Sequence, residues 1–567
     1  MGDLSKTLRT PVRKGLVRHF MTNKPIIYQV FTRLYGNRNT TRKEWGSVEE
    51  NGTGKFSDFD AKTLKAIKQM GISHIWYTGV IRHASQTDFS KFGIPTQHPS
   101  VVKGKAGSPY AICDYYDVDP DLADDVDNRM KEFEALIVRT HKAGLKMFID
   151  FVPNHVARQY VSIAKPKGVV DLGADDDKDQ GFNPQNNFYY CPGCKLETPQ
   201  ASDYEENPAK ATGNDHFDNR PGMNDWYETV KLNYGIDYWT HFGHFDPVPD
   251  TWKKMTEILL FWAAKGIDGF RCDMAEMVPA AFWAYATGKV KEKYPEILFM
   301  GEVYNPAEYR NYIHSGFDWM YDKVGMYDTM RAVTCGYGSA AAITGAWQTV
   351  DDIKEHMVYF LENHDEQRVA SDFFAGDAKK GIPAMVASIL MKSSPFMLYA
   401  GEEYGEKGMD KEGFSGKDGR TTIFDYWSVD TLCRAASCEL TDDEKYVYEM
   451  HEKTMKIARK EKAVDGEFYD LMYVNPWSEH FDNNKQYAFF RKNDDELLFV
   501  VVNFDDKDVD IKVRVAPHAI EYLQIPEKKY KAKDLLSDEK LDMELVSDGL
   551  VAMSIKARGA RVWKVKK

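Results

Sequence analysis

Short apolar runs alternate with amphipathic stretches from about residue 25 to residue 460. Eight runs carry a strand signature: IIYQVFT (26–32), HIWYTGV (74–80), KMFIDFV (146–152), IDGFRCD (267–273), ILFMGEV (297–303), FDWMYD (317–322), MVYFLEN (357–363) and FMLYAGE (396–402). They are apolar on both faces, as strands buried in a parallel sheet are. Between them lie helical patterns such as DNRMKEFEALIVRTHKAG (127–144) and PDTWKKMTEILLFWAAKG (249–266), each closing on a glycine. Eight strands alternating with helices predict an α/β fold, a (β/α)8 TIM barrel.

Two segments break the alternation. Residues from about 156 to 245 follow the third strand and are rich in Asn, Asp, Gly, Pro and aromatics. That is too long for a bare loop and predicts a small inserted domain. After about residue 465 the period becomes that of exposed strands, in QYAFFRK, ELLFVVVNF, VDIKVRV, LVAMSIKA and ARVWKVKK. These predict a C-terminal antiparallel β-sandwich. The expected organisation is a barrel over 1–155 and 246–464, an inserted domain over 156–245 and a sandwich over 465–567.

Composition narrows the classes. The chain of 567 residues has 74 Lys and Arg against 87 Asp and Glu, a formal net charge of −13. That balance disfavours nucleic acid and anionic membranes, which need basic patches. Aromatic residues make up 13%, a useful supply of flat surface for sugar rings. Seven cysteines leave at least one thiol unpaired, which favours a reducing compartment. No apolar run is long enough to span a bilayer. Lys6, Arg9, Arg13, Lys14 and Arg18 have no apolar signal core after them. A cytoplasmic location is therefore favoured, although an exported chain with its signal removed would read the same. Oligomeric state is not legible in the sequence.

Ionisable residues collect at the C-terminal ends of the strands, where barrel enzymes hold their chemistry. DFVPNH brings Asp150, Asn154 and His155; GFRCD brings Arg271 and Asp273; GEV brings Glu302; ENHDEQR brings Asn363, His364 and Asp365. Side chains alternate along a strand, so Arg271 and Asp273 share the barrel interior and Cys272 points outward as a small packed residue. Burying that much charge is costly unless it is paired or used. Cleaving a glycosidic bond with retention uses a carboxylate nucleophile and a carboxylic acid about 5 Å apart. Asp273 fits the nucleophile, with Arg271 beside it to keep it ionised. Glu302, on the next strand, fits the acid, which needs a more apolar or more negative setting. Asp365 could hold sugar hydroxyls in the distorted transition state, with His155 and His364 as donors.

Taken together, these segments resemble glycoside hydrolase family 13, the α-amylase family. DFVPNH is similar to its first motif, GFRCD to its second, GEV to its third and ENHD to its fourth, in order and on the expected strands. The likeness covers essentially the whole chain. It implies Asp273 as nucleophile, Glu302 as general acid and base, and Asp365 as transition-state stabiliser. It further implies Arg271, His155 and His364 as ligands around the sugar being cleaved. SPYAICDYYDVDP resembles the family's segment after strand two, which makes Tyr110 the stacking aromatic. The implied substrate is an α-glucan or maltooligosaccharide cleaved at α-1,4 bonds, with no organic cofactor.

Two departures matter. Many endo-acting α-amylases have Lys-His where this chain has Glu276-Met277, on the leaving side of the sugar. Their absence leans toward relatives that act on short maltodextrins or transfer sugars. In TVKLNYG (229–235), Lys231 stands where the family commonly has an aspartate that helps bind a structural calcium with an asparagine such as Asn154. A lysine cannot ligate a cation, so the expectation is that its ammonium replaces the ion. Two further motifs carry less. Cys191 and Cys194 in CPGC have no evident second ligand pair for zinc. Asp175, Asp176, Asp177 and Asp179 are not spaced as a known calcium loop and read as solvated. An α-glucanotransferase on the same scaffold stays open, because water access depends on loops. A non-catalytic binding or scaffold barrel would be expected to lack a carboxylate, and this chain has all three.

Overall fold

The computed structural model describes residue 22 and residues 24–565. The basic residues Lys6, Arg9, Arg13, Lys14 and Arg18, and the reading made of them, lie outside the described residues.

Each of the eight apolar runs contains one strand: β1 (Ile26–Phe31), β2 (His74–Thr78), β3 (Lys146–Phe151), β4 (Gly269–Cys272), β5 (Leu298–Gly301), β6 (Trp319–Tyr321), β7 (Met357–Phe360) and β8 (Phe396–Tyr399). They close in sequence order, β8 pairing with β1, and every pairing is parallel. The helix Arg129–Lys142 buries Phe133, Leu136, Ile137 and Thr140, one face at helical spacing. Gly144 and Gly266, which follow the two predicted helices, have left-handed backbones at φ 74° and 95°.

The barrel interior is a core of its own. Ile27, Trp76, Phe148, Met300, Tyr321, Val358, Phe360 and Met397 pack there, apart from the larger layer between strands and helices. Gly269 faces this interior, in register with Phe148. A Cβ at Gly269 would come within 2.5 Å of the Phe148 ring. The missing side chain lets Phe148 fill the barrel directly below Arg271, and Gly269→Ala would cost roughly 1–3 kcal/mol in overpacking. Cys272 is fully buried with Phe270 in the outer layer, as its alternation required.

Residues 156–245 contain little regular structure. The strand His155–Ala157 pairs antiparallel with Thr229–Lys231, which anchors both ends of the segment to the mouth of β3. Side chains tie the remainder: Asp176 accepts from the Asn187 and Phe188 amides and the Tyr190 hydroxyl, at 2.7, 3.0 and 3.0 Å. Cys191 is partly buried and Cys194 exposed, both as free thiols.

The C-terminal region forms a six-stranded antiparallel sheet and a two-stranded one. Five of its strands, Gln486–Lys492, Leu497–Asn503, Val509–Arg514, Leu550–Ile555 and Ala560–Val565, fall in the predicted runs. Strands Glu467–Asp470, Lys528–Asp534 and Lys540–Leu545 are additions: EFYD is only four residues long, and KKYKAKD and KLDMEL bury only alternate residues and carry too few apolar ones to stand out. No helix among the described residues is long and apolar enough to cross a membrane.

Candidate active site

Arg271 is the hub. Its side chain is fully buried at the mouth of β4, with Nη1 2.7 Å from Asp273 and Nη2 2.7 Å from Glu302. Asp150, from β3, lies 3.5 Å from Nη1. Asp150 is held in turn by the Trp76 indole at 3.1 Å and the Gly79 amide at 3.3 Å. The guanidinium also lies near the rings of Trp76 and Tyr321, at 5.1 and 5.7 Å from their centroids.

Glu302 is gripped from three sides. Besides Arg271, its oxygens accept from the Met274 amide at 2.8 Å and the Tyr304 hydroxyl at 2.6 Å. Met274 presents that amide from a left-handed backbone, φ 43°, a conformation costly for a residue with a side chain. Asp365 is presented by a turn in which Asn363 Oδ1 accepts from the amides of Asp365 and Glu366 at 2.8 and 2.9 Å. Its side chain remains 40% exposed.

His364 links three elements. Gln29 of β1 donates to Nδ1 at 2.8 Å, which leaves the Nε2 hydrogen between the Tyr110 hydroxyl at 2.6 Å and Asp365 at 3.1 Å. The Tyr110 ring stacks on the imidazole at 5.1 Å. His155 is oriented by Asn154, whose amide donates to Nδ1 at 3.1 Å.

These groups meet at a cavity of about 330 Å³. Asp273, Glu302, Asp365, Tyr110 and His155 all line it, and the inserted segment contributes Trp226 and Glu228 to its wall. Arg271 and His364 lie behind the lining carboxylates. Every site residue singled out in the sequence is thus brought to one place.

Electrostatics sort the groups. Burial pushes the Asp273 carboxyl well up; Arg271 opposes the rise, while Glu302 and Asp365 add to it. Burial also works against the Asp365 carboxylate, but His364, Arg271 and Arg420 outweigh it and hold its pKa at about 2. The His155 imidazole is driven down to about 3, by burial first and then by the charges of Lys231 and Lys103, so it is neutral at pH 7. Around Arg271 one positive charge faces three carboxylates. A proton shared within the cluster relieves that excess.

The family model described as "Alpha amylase, catalytic domain" matches residues 39–463, and the one described as "Alpha amylase, C-terminal all-beta domain" matches 477–566. The chain belongs to the α-amylase family of glycoside hydrolases. An α-amylase, MalA, of Haloarcula japonica is 26% identical over 394 residues, 68% of this chain and 44% of that protein. The chain therefore spans less than half the length of that relative. Neopullulanase 2 of Thermoactinomyces vulgaris is 20% identical over 84% of this chain and 69% of its own. Among solved structures, a maltogenic α-amylase of Thermotoga neapolitana superposes with a TM-score of 0.63 at 19% identity. The match covers 96% of this chain and 99% of that one.

The geometry corrects two expectations. Arg271 does not serve Asp273 alone, and the Asp273 carboxyl is raised by burial rather than lowered. Glu302 sits against a cation and two donors, not in an apolar setting. Separately, the Glu276 carboxylate accepts from the Tyr304 and Asn305 amides, each at 3.0 Å, and does not line the cavity.

Lys231, the lysine of TVKLNYG, is buried beside Asn154. Its ammonium is 2.5 Å from Asn154 Oδ1, 2.7 Å from Asp215 and 3.5 Å from the Met277 carbonyl. Burial lowers its pKa and Asp215 opposes the shift. A charged nitrogen at the centre of those oxygens does not fit a metal ion there. Among the described residues no three His, Cys, Asp or Glu side chains converge as a metal site.

Sequence reasoning missed Gln29, Trp76, Tyr304 and Tyr321. Gln29 had a signal, a lone amide on the inward face of an otherwise apolar strand. Tyr304 had another, two residues beyond Glu302 and so on its side of the chain. Trp76 and Tyr321 read as plain core, because their role appears only once the barrel closes around Arg271.

Proposed function

We propose that the chain is a retaining hydrolase of α-1,4-glucosidic bonds in starch-derived oligo- and polysaccharides. One observation carries the reading: Asp273 and Glu302 contact the two terminal nitrogens of a single guanidinium at the floor of one cavity. Sharing one short spacer favours the close separation of retaining enzymes over the wider one that leaves room for a water. With the cluster's shared proton on Glu302, Asp273 attacks the anomeric carbon as a carboxylate while Glu302 gives that proton to the leaving oxygen. Glu302 then takes a proton from water, which releases the sugar from Asp273. Asp365, held ionised, takes up sugar hydroxyls opposite them. The Tyr110 ring supplies the flat apolar wall.

The chemistry asks for no organic cofactor. Lys231 takes the place of a structural cation, so EDTA should leave the melting temperature unchanged. A fall reversed by calcium would count against that role.

The activity is tested by a time course with maltoheptaose, soluble starch and pullulan, resolving every product by size. Shorter maltooligosaccharides alone are expected. Products longer than the substrate would move the reading to transfer, and no change in any substrate would overturn it.

A further inference from the structure

A second cavity, of about 260 Å³, lies within the inserted segment and shares no lining residue with the catalytic one. Its volume is close to the ~300 Å³ at which small-molecule sites begin. Three cations line it, Arg158, Lys178 and Lys210, against one carboxylate, Glu206.

Arg158 is its fixed point. It follows directly on the strand His155–Ala157, and its amide donates to the Glu228 carbonyl at 3.2 Å. Its side chain is buried. Nε donates to the Tyr227 carbonyl, and Nη1 donates to Glu206 at 2.7 Å. Those bonds hold the guanidinium plane, whereas Nη2 finds no acceptor among the described residues. A buried donor of that kind calls for an acceptor, and a rigid guanidinium fork suits a tetrahedral oxyanion.

The other charges do not balance it. Lys210 shares the same partner, with its ammonium 3.4 Å from Glu206, so one carboxylate serves two cations. Burial works against the Glu206 carboxylate, but Lys210 and Arg158 outweigh it and hold its pKa below the ordinary value. Lys178 has no ion pair among the described residues and is exposed. Asp177, beside it in the chain, turns its oxygens to the Asp179 amide and the Gln180 side chain. Asp176 does not line the cavity, and its oxygens accept from the Tyr190 hydroxyl and the Asn187 and Phe188 amides. Phe188 and Tyr190 supply the apolar wall, with the Lys210 ammonium 5.4 Å from the Phe188 ring centroid.

We propose that this cavity is a binding site for a phosphoryl group, carried as inorganic phosphate or as the phosphate ester of a small sugar. Arg158 and Lys210 hold the oxyanion from the inner wall and Lys178 closes on it from the rim. The site is independent of the α-glucan reading above.

The test is calorimetric titration of the full chain near pH 7 at constant ionic strength, with inorganic phosphate and glucose 6-phosphate as probes. One equivalent should bind. Lys178→Ala and Arg158→Lys should each weaken binding about tenfold, the scale of one charge-assisted hydrogen bond. Arg158→Lys keeps a cation beside Glu206 and removes the fork; should it fail to fold, Lys178→Ala alone decides. Lys167→Ala, exposed and outside the cavity, should bind as the parent does. Equal affinity for the two probes would identify free phosphate as the ligand, and tighter binding of glucose 6-phosphate would identify the ester; either supports the site. No binding of either probe by the parent, parent-like affinity in folded Lys178→Ala, or an equal loss in Lys167→Ala overturns it.

Discussion

Asp273 and Asp365 are neighbours with opposite electrostatics, and each makes its own demand on experiment. In the folded state Asp273 binds its proton more tightly than in the unfolded chain, chiefly because it is buried. Its contribution to stability is present below the unfolded pKa and is lost as pH rises through the folded value. Asp273→Asn cannot ionise, so it should melt about 2 °C or more above the parent at pH 8, and the gap should close toward pH 4. The same change should lower turnover by orders of magnitude, as should Glu302→Gln, with circular dichroism unchanged. Near-normal activity in either would remove the assignment. For Asp365 the sign reverses. Its folded pKa of about 2 contributes stability above the unfolded value, lost only as pH falls below about 4. Asp365→Asn should therefore cost stability in urea at pH 7. Because the side chain is 40% exposed, the cost is about 1 kcal/mol or less. The residues that do the chemistry were legible because charge at strand ends is conspicuous. Their protonation was not, since it depends on how many carboxylates share Arg271.

At the scale of elements, Glu276 in the turn after β4 holds the turn after β5. Its carboxylate clamps the two amides of Tyr304 and Asn305. Through Tyr304 it steadies Glu302. Glu276→Ala should lower kcat about tenfold with little change in KM, the scale of a lost charge-assisted hydrogen bond. Glu276→Gln keeps an acceptor oxygen and should recover most of the loss; a Gln variant as poor as Ala would contradict the clamp. The anchor of the inserted segment behaves differently. Lys231 is buried between Asn154 and Asp215. Lys231→Ala leaves those oxygens without a cation and should cost ~3 kcal/mol in urea unfolding. A loss below ~1 kcal/mol would mean that water can replace the ammonium there.

At the scale of the whole molecule, the barrel was the most legible feature. Eight apolar runs with helices between them leave few ways to bury both faces of every strand, and closure is the one observed. The inserted segment was legible only as an interruption, because it is held by side-chain bonds such as those of Asp176 rather than by periodic burial. That segment supplies Trp226 and Glu228 to the catalytic cavity. The central claim is that Asp273 forms a covalent bond to the sugar. Proton NMR of the first products from maltoheptaose tests it most directly, by the configuration of the new reducing end before mutarotation. Retention through Asp273 requires the α-anomer to appear first; the β-anomer appearing first would mean direct attack by water and would contradict the account.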